Sequence, residues 1–125
     1  MQQTNRAVEV LDRVLNDPHV EANAVLAIAQ AFASFGNYQK LEATLDKLVK
    51  LVPDSPEAWY DLAALKASIN KNQEAIPALS NAIELGTKRH TADPKTRDLV
   101  AEAQKDSRFT ILHETPEFKK LIPPK

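Results

Sequence analysis

Apolar side chains recur along this chain at a spacing of four and then three, and the whole pattern returns at a fixed interval. Ala7, Leu11 and Val14 are followed 34 residues later by Leu41, Leu45 and Leu48, and after the same interval by Ala75, Leu79 and Ala82. Such spacing keeps side chains on one face of a helix, so each set predicts an amphipathic helix. A second series runs at the same interval, pairing Ala24 with Ala58, Val25 with Trp59, Ile28 with Leu62, Ala29 with Ala63 and Ala33 with Ala67. It predicts another helix ahead of the first in each unit. Units of this size cannot bury an apolar face alone, so they stack, and stacking accounts for most apolar positions without any reaction chemistry.

The punctuation agrees with the period. Ser55-Pro56, Asp93-Pro94 and Thr115-Pro116 each join an N-cap oxygen to a proline at the first helical position, predicting three helix starts. Gly36 predicts a left-handed close to the first helix of the complete unit, with Asn37 capping the next and Asn70 and Asn72 serving the same turn one unit on. Gly86 predicts a helix end, with Thr87 to Ala92 as a loop. Pro77 falls early in its helix, where only a first-turn bond is lost and a bend is expected. Leu99, Val100 and Ala103 predict one more helix from Pro94 to about Lys105. Beyond it, Phe109, Leu112, Phe118 and Leu121 fall on two short helical turns and suit a cap over the last apolar face, before Ile122-Pro123-Pro124-Lys125 ends the pattern. Lying in the array's groove as an internal ligand is the other use open to this tail. The predicted parts are a half-unit at 1–20, full units at 21–54 and 55–87, and an extra helix with a capping tail at 88–125.

Composition changes this picture little. The 125 residues are enough for one domain, 43% are hydrophobic, and two glycines among abundant Ala, Leu, Lys and Glu favour helix over sheet. Sixteen basic against 17 acidic residues leave a net charge of −1, so no global field draws the chain to nucleic acid or an anionic membrane. There is no cysteine, hence no disulfide and no thiolate. Met1-Gln2-Gln3-Thr4-Asn5 lacks the basic and apolar character of a leader, and the apolar stretch from Ala24 to Phe35, broken by Gln30, is too short for a bilayer.

His19, His90 and His113 lie in separate connecting or terminal regions, with no second histidine one turn away to build a metal site. Asp12, Asp46 and Glu84 stand beside Lys or Arg on expected outer helix faces, where pairing along the helix explains them. With no glycine-rich phosphate loop either, neither a catalytic set nor a cofactor is expected. Lys88, Arg89 and His90 with Lys95 and Arg97 make a small basic cluster without interleaved aromatics, better suited to the C-terminal end of a helix than to nucleic acid.

These residues resemble the tetratricopeptide repeat, a helical hairpin of about 34 residues. Pro56 to Gly86 carries Trp59, Leu62, Ala63, Ala75, Leu79 and Ala82 at favoured slots; Ala22 to Ser55 carries Ile28, Ala29, Phe32, Gly36, Tyr38, Leu45, Leu48 and Pro53. Lys66, Leu41 and Thr87 depart from the pattern. The resemblance implies an all-α fold, a right-handed superhelix of antiparallel hairpins. Its first helices would line a concave groove that holds a peptide or helix of a partner protein.

By register the groove positions are Asn23, Leu26, Gln30 and Ala33, then Glu57, Tyr60, Asp61, Ala64 and Ala67, then Arg97 and Asp98. Small alanines leave room for a ligand backbone, Tyr60 offers a rigid amphipathic contact, and Gln30 and Asp61 supply hydrogen bonds. Tyr60→Ala is then expected to weaken binding, and Trp59→Ala to weaken the core. Family members that clamp C-terminal carboxylates place Lys and Asn where this chain has Leu26, Gln30 and Asp61, and an acid there would repel such a ligand. Val8, Val10, Leu11 and Val14 of the half-unit form an apolar edge, expected either to make a homodimer or to receive the chain's own tail.

Overall fold

The computed structural model describes residues 2–122, with side chains from Arg6 onward. The expected stop at Pro123-Pro124-Lys125 and the side chains of residues 1–5 lie outside the described residues. The protein is all-helical and forms two compact units, Met1–Pro53 and Asp54–Lys125. Among the described residues there is no strand, and no helix is long and apolar enough to cross a membrane.

The first unit holds α1 (Gln2–Leu15), α2 (Ala22–Phe35) and α3 (Tyr38–Leu51). α2 buries Val25, Ile28, Ala29 and Phe32; α3 buries Leu41, Thr44, Leu45, Leu48 and Val49, the stripe the periodicity predicts. Gly36 closes α2 at φ 70°, where its N–H donates to the Ala33 carbonyl at 3.1 Å and the N–H of Asn37 to that of Phe32 at 3.0 Å. Glycine holds this left-handed geometry without a Cβ clash. Asn37 then caps α3, its side chain accepting from the Lys40 N–H at 3.2 Å. α1 is held by Asp12, which pairs with Lys40 at 2.9 Å, and by Lys47, whose Nζ donates to the Leu15 carbonyl.

The second unit begins with α4 (Pro56–Ser68) and α5 (Asn72–Ala92). Ser55 caps α4 by accepting from the Ala58 N–H at 3.3 Å, with Pro56 inside the first turn. Asn70 stands 34 residues after Gly36 and repeats its conformation at φ 65°, sending its N–H to Ala67 and that of Lys71 to Lys66. Asparagine tolerates this region better than other residues with a Cβ. Lys66, out of pattern for the repeat, is buried, and its Nζ lies 3.1 Å from Glu74 of α5.

Four expectations fail here for identifiable reasons. Gly86 does not end a helix: α5 runs through it to Ala92, taking in the expected loop. A Cβ at Gly86 would sit 2.8 Å from the Leu99 side chain, so this glycine lets the next helix approach closely. Asp93-Pro94 starts a turn instead of a helix, with the Asp93 side chain accepting from Lys95 N–H at 3.1 Å and its carbonyl from Thr96 N–H at 3.0 Å. A proline after an aspartate suits the second position of a turn as well as a first helical turn. α6 is therefore short (Leu99–Lys105) and capped by Asp98. Finally, Asn72 is the first residue of α5 without capping it, so Pro77 lies in the second turn and forfeits a bond to the Gln73 carbonyl.

The tail forms a 3₁₀ helix (Ser107–Leu112) and α7 (Pro116–Leu121), the latter capped by Thr115 as expected. Phe109, Leu112 and Phe118 are buried, joined by Ile122 in place of the half-buried Leu121.

Candidate functional site

Burial of Val25, Ile28, Ala29 and Phe32 fixes the rotation of α2 and turns Asn23, Leu26, Gln30 and Ala33 to solvent. Their spacing of three, four and three keeps all four on one face. Leu26 is 40% exposed, a large apolar side chain flanked by two amides. This face is open.

The corresponding face of α4 is not. Tyr60 is 2% exposed, Ala64 and Ala67 are buried, and α4 is buried almost all round. A helix with that burial has neighbours on both sides, and here they are α5 and the 3₁₀ helix. Phe109 meets the Tyr60 ring edge-on with centroids 5.6 Å apart, and the Tyr60 O–H donates to Asp106 Oδ2 at 2.9 Å. Tyr60, expected on an open groove, is thus covered by the chain's own C-terminal segment, and Ala64, expected beside it, is buried as well. Sequence reasoning found the apolar tail but not Asp106 and Arg108, whose only signal was an acid at a helix-cap position after Lys105.

Several charged residues of this unit pair with one another. Arg89 makes a two-pronged pair with Glu57, one prong at 2.7 Å, and Arg97 grips Glu102 at 2.9 and 2.7 Å while lying 3.8 Å from Glu57. The Arg89 hydrogen bonds hold the Glu57 carboxyl below its ordinary range against the opposing effect of burial. Lys88 pairs with Glu84 one turn away at 3.5 Å, and His90 Nδ1 lies 2.9 Å from the Thr96 carbonyl. The basic cluster of the sequence is therefore interleaved with acids. Arg97 and Arg108 each place a guanidinium 5.9 Å from the Tyr60 ring centre, a cation–π arrangement. Asp61 is half-buried, and burial pushes its pKa up despite Arg108 and Arg97 nearby.

Asp106 is the hub. It caps the 3₁₀ helix by accepting from the Arg108 N–H at 3.0 Å, receives the Tyr60 O–H, and pairs with the Arg108 guanidinium at 2.7 Å. The Arg108 hydrogen bond, outweighing desolvation, brings its pKa down to about 2. A carboxyl depressed from 3.8 contributes stability above about pH 4, and that contribution disappears as pH falls through about 2. Asp61, raised by burial, acts in the opposite sense, so the test is a difference. Asp106→Asn keeps an acceptor for Tyr60 and is expected to cost about 1–2 kcal/mol at pH 7, the half-exposed Arg108 limiting the value. Urea unfolding followed by circular dichroism should show that deficit shrink steeply between about pH 4 and about pH 2; an unchanged deficit would mean that the charge contributes nothing.

Among the described residues no group of three His, Cys, Asp or Glu could hold a metal ion. The His113 ring packs against Phe118 with centroids 4.9 Å apart, and the backbone N–H of His19 donates to Asp17 Oδ1 at 2.9 Å. What the site offers is an apolar and amide contact surface.

Residues 22–65 match the family model of the tetratricopeptide repeat. No curated protein and no solved structure matches the chain. Repeats of this family mediate protein–protein interaction and scaffolding, and the family is typically non-enzymatic.

Proposed function

From the match of residues 22–65 to the tetratricopeptide repeat, we propose that the chain is a scaffold that binds a partner protein along the outer face of α2. The observation that carries this reading is the open set Asn23, Leu26, Gln30 and Ala33 on the first helix of the matched segment. Leu26 supplies the apolar anchor, Asn23 and Gln30 fix register by hydrogen bonding, and Ala33 leaves space for a bulky side chain. The mixture suits one apolar side of an amphipathic helix or an extended segment. Asp61 and Arg97 retain partial exposure and remain candidates for polar contacts, whereas Tyr60 would act only by supporting the segment packed on it and Ala64 is buried.

Leu26→Glu combined with Gln30→Ala is expected to abolish capture of specific partners from a native lysate while leaving helicity and unfolding unchanged, since both positions are exposed. Quantitative mass spectrometry against wild type and against Lys50→Glu, an exposed change on α3, provides the comparison. Identical captured sets from all three proteins would refute the assignment.

A further inference from the structure

The outer surface of α1 carries a pattern that neither the repeat packing nor the α2 face uses. Val10 is 55% and Val14 43% exposed, with Ala7 and Leu11 half-buried beside them. The equivalent positions in the later repeats, Leu41, Leu45 and Leu48 of α3 and Ala75, Leu79 and Ala82 of α5, are all buried. Next to this apolar strip, along α1 and the turn after it, stand Arg6, Glu9, Arg13 and Asp17, all exposed and without an ion-pair partner among the described residues. Asp12, on the opposite side of the helix, is already engaged with Lys40.

The flank therefore reads basic, acidic, basic, acidic, and the same flank read backwards is its complement. A two-fold axis near Leu11 that brings two copies together antiparallel sets Arg6 opposite Asp17 and Glu9 opposite Arg13, each pair occurring twice. The same axis brings Ala7, Val10, Leu11 and Val14 of one copy against those of the other. A parallel two-fold arrangement carries this flank of the two copies to opposite edges of the contact, so none of these charges meets its complement. We infer that the free face of α1 is a homodimer interface, in which two copies of the helix pack antiparallel and exchange Arg6–Asp17 and Glu9–Arg13 ion pairs. Fourteen helical residues span about 21 Å, a small contact, so the dimer forms in the roughly micromolar range or above.

Sedimentation equilibrium of the full chain over about 5 to 500 µM is expected to show a monomer–dimer equilibrium. Glu9→Arg alone and Arg13→Glu alone each set like charges face to face and should weaken the dimer about tenfold or more. Mixing the two variants should recover association, because in the mixed dimer every substituted position meets an opposite charge. The double variant Glu9→Arg/Arg13→Glu should associate like wild type. Circular dichroism should be the same for all, as the changes are on the surface. A monomer throughout the range would overturn the inference, as happens if the face serves a helix of another protein. So would a dimer indifferent to the single changes, or one that mixing does not restore.

Discussion

Phe109→Ala is expected to lower the unfolding free energy of the second unit by about 3–5 kcal/mol, the range for emptying a fully buried aromatic site. Phe109 is 0% exposed and touches two rings, Tyr60 at 5.6 Å between centroids and Phe118 at 6.0 Å. The edge-on contact with Tyr60 adds to area burial through the ring quadrupoles. Removing it leaves a cavity between α4 and the 3₁₀ helix that a short helix tied at Asp106 cannot close by sliding. Urea unfolding measured by circular dichroism gives the value. Phe109→Leu keeps most of the volume and should cost clearly less, which leaves a folded comparison if the alanine variant is too unstable to purify. A loss below about 1 kcal/mol for the alanine variant would mean that the tail rests on α4 without stabilising it.

Tyr60 provides the second large effect, and its two truncations separate packing from hydrogen bonding. Tyr60→Ala is expected to cost about 3–5 kcal/mol, reversing the sequence-based expectation that this change would weaken binding alone. Tyr60→Phe keeps the ring and loses only the O–H to Asp106, so about 1.5 kcal/mol is expected, near the low end for a hydrogen bond to a charged group because Arg108 still satisfies the carboxylate. Burial, followed by Asp106, pushes the Tyr60 pKa well above that of a free phenol, so the group stays a neutral donor across any working pH. Trp59, half-buried, should cost less than Tyr60 when truncated. The same unfolding experiment decides the order, and a larger loss for Trp59→Ala would contradict it.

Helix existence, period and most ends are local matters, and they were legible in the residues. Leu45 and Leu79 point inward, Gly36 and Asn70 adopt the left-handed turn one period apart, and Ser55, Asn37 and Thr115 cap the helices that follow them. Each depends on neighbours within about one helical turn, which is the range over which side-chain periodicity and capping act. The outward set on α2 follows from the same reasoning, since fixing the buried stripe of a helix fixes its opposite face.

The errors share one cause. Gly86 has the local chemistry of a helix stop, because glycine weakens a helix, yet it is a contact point for Leu99, thirteen residues ahead in the chain. Tyr60 stands at a groove position by register, and a segment more than forty residues away covers it, with Asp106 and Phe109 closing on its ring. The Arg89–Glu57 and Arg97–Glu102 pairs likewise turned a basic cluster into a balanced network. The sequence by itself determined that this protein is built of helical hairpins, and which side of α2, α3 and α5 faces in, because the amphipathic stripe that recurs on them has no other way to bury its apolar area. Only the tertiary structure decided which outward faces stay open. That depends on where a distant tail finds its best packing and hydrogen bonds, and no spacing rule along the chain encodes such a contact.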